Sequence, residues 1–296
     1  MQHYNGGIMT YNFDVTGVSY IGNPRSNTAM YATRKVENLL NNLRSVFHCV
    51  VFVENGMLVD DSLQKEHFFF FSDNPEREYA KFANELYRKR EEIERKRKYT
   101  FQPGGYYIGE NVTIGPNAYI EPQCIIGHDV VIGQNANILY GSVIKHSVIG
   151  DDFLLNEYGV IGAFGFTMAE DEHGNRFRIP TMGKVIIGNH VEIGAHDNIS
   201  CGTGSNTIIE EYVKLDALVH VGHDACLERN ARITAGSIIG GYAKIGSHVF
   251  LGVNSSIRNR IAIGENSFIG MGSNVTKSVD SNVTVAGNPA RTFEKD

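Results

Sequence analysis

The stretch Ile209–Val275, IEEYVKLDALVHVGHDACLERNARITAGSIIGGYAKIGSHVFLGVNSSIRNRIAIGENSFIGMGSNV, places an aliphatic residue at every sixth position: 209, 215, 221, 227, 233, 239, 245, 251, 257, 263, 269 and 275. Outward from it, the same phase runs through Ile108, Ile114, Ile120, Ile126, Ile132, Ile138 and Ile144. It slips by one residue to Ile149, Leu155 and Ile161, and resumes at Ile187, Ile193 and Ile199. A hexapeptide repeat of this length predicts a triangular solenoid in which each unit is a short strand plus a turn and three units close one coil. The aliphatic residue points inward. Glycines such as Gly109, Gly115, Gly246 and Gly264 follow it because the corner between faces is tight. Coils stack by parallel pairing, so residues 18 apart in an unbroken stretch sit one above the other.

A solenoid accepts insertions only as outward loops. Two are expected, Ala163–Lys184 (AFGFTMAEDEHGNRFRIPTMGK) and a shorter one around Thr203–Asn206. Phe164, Phe166 and Phe177 in the first either plug their own fold or offer apolar surface to an acyl chain or a sugar face. Before residue 100 the pattern changes. Val46–Val53 and His67–Phe71 read as strands, Asn55-Gly56 as a turn, and Asn74-Pro75 as the cap and first position of a helix that carries Tyr79, Phe82 and Leu86 and runs on through Arg88–Lys98. The expected division is a small α/β domain over 1–100, a β-solenoid over 101–280 and a C-terminal tail over 281–296.

Composition limits the function classes. With 27 Lys plus Arg against 33 Asp plus Glu, the formal net charge is -6, which provides no positive field for nucleic acid. Any bound anion must be held by local groups. Cys49, Cys124, Cys201 and Cys226 stand far apart without a CxxC pair, as buried reduced thiols do. No apolar run reaches the roughly 18 residues of a membrane span, and the expected location is the cytoplasm.

The most chemically suggestive segment is KLDALVHVGHDACL (Lys214–Leu227), with His220, His223 and Asp224 close together. His220 and His223 are three apart on a six-residue unit, so they are expected on different faces. His223 follows Asp216–Val221 by one corner and lies just beyond an insertion, where a cleft could form.

GAFGF (Gly162–Phe166), HGNRFRIPTMGKVIIGNHVEIGA (His173–Ala195) and VHVGHD (Val219–Asp224), with VTGV (Val15–Val18) and SDNPEREYAKFANEL (Ser72–Leu86), carry a nearly end-to-end resemblance. The chain resembles the UDP-acylglucosamine N-acyltransferases of lipid A biosynthesis and related sugar-nucleotide N-acyltransferases. The resemblance implies a left-handed parallel β-helix with an N-terminal α/β domain that binds a sugar nucleotide. It also implies acyl transfer from a thioester, acyl-CoA or an acyl carrier protein, to a sugar amine, with no permanently bound cofactor. His223 matches the catalytic histidine. An attacking nitrogen must shed a proton as the C–N bond forms, and imidazole is suited to take it. Asp224 or Asp216 would orient the ring. One coil above His223 lies Gly241, whose amide is the candidate donor to the oxyanion of the tetrahedral intermediate. His220, Phe164, Phe166 and Tyr31 are the candidate substrate contacts.

Two departures sharpen the expectation. TAMYATRK (Thr28–Lys35) places Ala29, Ala32 and Lys35 where the resembling enzyme has its base-clamping aromatics, leaving Tyr31 as one stacking face. The ending VTVAGNPARTFEKD resembles the tails of CoA-dependent acetyltransferases, which favours acyl-CoA as donor, with Arg258, Arg260 and Arg291, together with Lys277, as phosphate contacts. A homotrimer follows from the resemblance. The alternatives are a CoA-dependent O-acetyltransferase and, less well supported, a metal-dependent hydratase or a non-catalytic solenoid. The pairs His190 with His196 and His220 with His223 lack a third metal ligand at coil spacing, so no metal is expected.

Overall fold

The hexads close into three long sheets of ten, ten and eight strands. In the computed structural model, which describes residues 2–4, 7–9 and 11–293, with side chains from 11 to 292, the chain divides into two compact units. The second unit holds residues 97–165, 183–202 and 206–296. It is a left-handed parallel β-helix of two- to four-residue strands. Ile125 pairs with Val143 and His220 with Ile238, 18 residues apart, whereas Val143 pairs with Val160, 17 residues on. The one-residue slip is therefore absorbed in a turn without losing the stack. Across the two insertions the partners are Val160 with Asn198 and Asn198 with His220, so the coil carrying His220 lies directly on the rung that the loops interrupt.

The inward column on one face, Ile126, Ile144, Ile161, Ile199, Val221, Ile239, Ile257 and Val275, is almost fully buried. Burial of each such side chain contributes about 1.5 to 3 kcal/mol, so the period-six pattern is itself the main stabilising term. Three residues after the inward position the backbone is left-handed, at Asp129, Asp224, Tyr242 and Arg260 among others, with φ near 60°. Asn and Asp tolerate this region best. Tyr and Arg hold it because each turn amide is tied to the coil below, as Tyr242 N–H is to His223 O and Arg260 N–H to Gly241 O.

The first unit comprises residues 1–96, 166–182 and 203–205. Its four-stranded sheet runs in the order Gly17–Val18, Thr28–Ala32, Val50–Glu54, Phe68–Ser72, all parallel. Val50 and Phe52 face one core with Tyr79, Phe82 and Ala83, while Val51 and Val53 face the other with Leu40, Leu43 and Leu63. Burial on both faces explains the unbroken apolar run. The strand begins at Val50 and not at Val46 because His48, at φ 56°, interrupts the extended backbone. Asn74 Oδ1 accepts from Arg77 N–H and Pro75 opens the helix Pro75–Glu94.

Three expected boundaries move. The helix stops at Glu94, short of Lys98, and the second unit begins at Arg97, whose guanidinium grips Asp129 and Glu110 of the first coils. The Ala163–Lys184 insertion forms a hairpin, Met168–Glu170 with Arg176–Arg178, and Ala169 and Ile179 enter the core of the first unit, so this loop is part of the α/β fold. The tail expected from 281 is no separate element: Thr284–Gly287 pairs in parallel with Phe268–Ile269 as one more rung, and Ala290–Phe293 folds back on it. Residues 294–296 of that tail lie outside the described residues.

Candidate active site

His223 sits two residues past the inward Val221, at a corner of the β-helix, and its side chain is 15 % exposed. It is thus neither sealed in the core nor loose on the surface. Asp224, in the left-handed position that follows, turns its buried carboxylate back so that Oδ2 lies 2.8 Å from His223 Nδ1. A carboxylate only accepts, so this contact keeps the proton on Nδ1 and makes Nε2 the nitrogen that carries the lone pair. Asp224 is anchored in turn by its own amide, which donates to Thr207 Oγ1 at 2.9 Å. Of the two acids considered from the sequence, Asp216 is engaged elsewhere: it is exposed, and its two oxygens accept from the amides of Ala217 and Ala235.

Gly241 lies where the 18-residue rule places it. A Cβ built on it would fall 2.7 Å from His223 Nε2, so only glycine leaves room for the imidazole. Gly165 does the same from the other side, with a Cβ 2.9 Å from His223 Cβ. The Gly241 amide differs from those corner amides that lie over an acid, and among the described residues shares its open state with the amides of Asn259, Glu265 and Met271, which lie over Gly240, Gly246 and Gly252. Arg229, Ala235 and Ser247 donate theirs to Glu210, Asp216 and Glu228, acids on the coil before. The residue that would cap Gly241 in this way is Gly222, which has no side chain, and among the described residues the Gly241 amide has no acceptor.

Tyr242 and Arg260 complete the corner. The Tyr242 ring stands edge-on to His223, centroids 5.2 Å apart, and the Arg260 guanidinium covers that ring at 4.2 Å. The sequence reading placed Arg260 as a phosphate contact and gave Tyr242 no role; Tyr242 was findable, being 18 residues beyond Asp224. Thr207 was findable too, since Ile208 pairs with Cys226 at the regular spacing of 18. His220 is half-buried on the preceding strand, and burial, with His223 nearby, pushes its pKa down, which favours the neutral ring.

The remaining residues singled out from the sequence lie in separate places. Phe164 is exposed and belongs to the second unit; Phe166 is exposed in the first, with Arg178 over its ring at 5.4 Å. Phe177 packs on the core of the first unit. The Tyr31 hydroxyl donates to Glu76 Oε1 and its ring meets Tyr79 at 5.2 Å. Arg258 reaches Thr276 O, while Arg291 and Lys277 line a cavity of about 480 Å³ at the last coil with Val275, Val279 and Val285. Among the described residues no three His, Cys, Asp or Glu side chains gather as a metal-ligand set, and no helix is long and apolar enough to cross a membrane.

Comparison with known proteins bears on the repeat and the fold. The family described as "Bacterial transferase hexapeptide (six repeats)" matches residues 105–140 and 242–277. The chain is 33% identical over 151 residues to a probable UDP-3-O-acylglucosamine N-acyltransferase of Arabidopsis thaliana, 51% of this chain and 50% of that protein. It is 36% identical over 146 residues to UDP-3-O-acylglucosamine N-acyltransferase 2 of Legionella pneumophila, 49% and 42%. These matches span half or less of each curated relative. Among solved structures, the UDP-N-acetylglucosamine O-acyltransferase of Moraxella catarrhalis superposes with a TM-score of 0.59 at 25% identity, covering 65% of this chain and 73% of that one. The UDP-N-acetylglucosamine acyltransferase of Campylobacter jejuni gives 0.59 at 22%, over 66% and 74%, and shares the fold. The chain carries hexapeptide repeats and is similar over about half its length to proteins named UDP-3-O-acylglucosamine N-acyltransferase.

Proposed function

We propose that this protein is an acyltransferase that moves an acyl group from a thioester donor to the amine of a nucleotide-linked amino sugar. The observation that carries the reading is the pairing of an oriented imidazole with an open amide: His223, held through Nδ1 by Asp224, presents Nε2 beside Gly241. In this reaction the sugar nitrogen attacks the thioester carbonyl and gives its proton to Nε2. The carbonyl oxygen becomes an oxyanion, which the Gly241 N–H stabilises. Collapse expels the thiolate, and the imidazolium, stabilised by Asp224, returns the proton. The curated relatives named UDP-3-O-acylglucosamine N-acyltransferase support an amine on a sugar nucleotide as acceptor.

The donor in this reading is acyl-CoA in preference to an acyl carrier protein. The tail, which resembles those of CoA-dependent enzymes, supports it, with Arg258, Arg260 and Arg291 as phosphate contacts. A flat outer face bearing Phe250 and Phe268, stacked 5.0 Å apart, supports association of three copies. A second reading, O-acylation of a hydroxyl, draws on the O-acyltransferase of Moraxella catarrhalis, since the same imidazole can take a hydroxyl proton.

A thiol-release assay over acyl-CoAs and acyl carrier proteins, with UDP- and dTDP-linked amino sugars and their hydroxyl counterparts, separates the two. We expect turnover on an amino sugar and a loss of about 100-fold or more in His223→Ala. Near-full activity of that variant removes His223 from the mechanism.

A further inference from the structure

Regular corners of the β-helix close in one way. The amide after the inward residue donates to the inward carbonyl one coil on, as Gly188 does to Ile209, Asp216 to Ile233, Gly222 to Ile239 and Gly240 to Ile257. Gly194 departs from this. Its amide donates to Asp197 Oδ2 at 3.0 Å, and the strands Glu192–Ile193 and Lys214–Leu215 pair only at Glu192 with Lys214, where the next pair of strands matches at two positions. The other oxygen, Oδ1, accepts from the amide of Val219 in the following coil at 2.7 Å. One fully buried carboxylate thus spans an interrupted rung, and the residue it holds immediately precedes the strand His220–Val221.

Asp197 is also an outlier in its column. The same position in other coils carries Cys124, Ser142, Ser237, Ser255 and Ser273, all buried. Cys124, Ser142 and Ser237 donate to carbonyls one coil on, those of Leu139, Asn156 and Gly252. Asp197 reverses the direction and accepts. Burial, opposed by the two amides and aided by the charge of Asp216, pushes its pKa up to about 7. A serine closes this corner elsewhere without that desolvation cost, so corner closure alone does not account for the acid.

Building on the acyltransferase reading, we propose that Asp197 is a positioning residue: by holding the Val219 amide across the interrupted rung, it fixes the strand that delivers His220 and, one corner on, His223. The carboxylate touches neither imidazole and acts through backbone placement.

Two variants test this. Asp197→Ser introduces the residue that the same corner already accepts at 237, 255 and 273; Asp197→Asn keeps the size and removes the charge. Hydrogen–deuterium exchange of the segment 214–222 needs no activity, and steady-state kinetics separate kcat from KM. We expect exchange at Val219 to accelerate by about tenfold or more. We also expect kcat to fall by about 10- to 100-fold with KM within about twofold, while the melting temperature does not fall below that of the parent. Unchanged exchange overturns the proposal. So does faster exchange with unaltered kcat, which makes Asp197 a structural stitch only, and so does a general rise in exchange with a collapsed melting temperature. Should Asp197→Asn fail to fold, Asp197→Ser decides. If the parent protein turns over no donor, the acyltransferase reading falls, while the exchange result still decides whether Asp197 holds the corner.

Discussion

The corner at Gly222 and Gly241 and the corner one hexad later, at Glu228 and Ser247, are built on the same turn. In both, a left-handed residue follows, Asp224 in one and Asn230 in the other, at φ 58° and 60°. At the second corner Glu228 accepts the Ser247 amide at 3.1 Å. At the first the accepting residue is glycine and the amide stays open, with an imidazole below it. The comparison teaches that the reactive corner shares the turn conformation of the capped one but leaves no room for a side chain, since a Cβ at Gly222 would fall 2.6 Å from the Gly241 nitrogen. A repeat that satisfies its turn amides with side chains yields an open donor wherever one of those side chains is deleted.

The comparison breaks most directly if an acid is restored. Gly222→Glu is expected to push the Gly241 backbone from its place, its Cβ falling 2.6 Å from that nitrogen, and to cover the amide with a carboxylate, lowering turnover by about 100- to 1,000-fold, the range for losing an oxyanion donor. Thiol release measures it, with circular dichroism to check the fold. Full activity would show that the open amide has no part in the chemistry.

A smaller effect tests the corner at Asp197, where the fold departs from its serine column. The folded pKa of about 7 lies above the unfolded value near 3.9. The native state therefore binds the proton more tightly, and this group's contribution to stability is present below pH 4 and is lost as pH rises through 7. Relative to the parent, Asp197→Ser should gain several degrees of melting temperature between pH 4 and pH 8 (roughly 2–4 °C per kcal/mol at this size). A constant gap across that range would place the ionisation elsewhere.

The smallest effect is expected at the capped corner itself. Glu228→Gln keeps an acceptor for Ser247 and loses only an exposed ion pair with Lys244. Stability should change by less than about 0.5 kcal/mol and turnover by less than twofold, measured by urea denaturation and thiol release. A large loss there would mean that corner chemistry is spread along the prism.

The repeat was legible from its aliphatic residues because each is buried for the same reason, and the 18-residue coil led from His223 to Gly241 by counting alone. The same counting fails across residues 163–206, where His220 pairs with Asn198 at a spacing of 22. Asp197 consequently stayed hidden. Asp197 looks in the sequence like one more turn residue; only the displaced Gly194 and Val219 amides give it away. The insertion containing Phe177 read as an outward loop because solenoid periodicity says nothing about a second core, and the apolar residues Ala169 and Ile179 were too sparse to announce one. Asp216 and Asp224 could not be told apart until the turn geometry aimed one carboxylate at the ring.

Two of the three long sheets of the β-helix each end, on one side, in a reversed strand. Thr100–Phe101 runs antiparallel to Tyr107–Ile108 at one end, and Ala290–Phe293 antiparallel to Thr284–Gly287 at the other. A stack of identical rungs would otherwise be a template for indefinite growth, with each molecule's last strand welcoming the next molecule's first. Turning the final strand around denies a newcomer the matching direction on one face at each end of the stack, which weighs against end-to-end growth by strand pairing there.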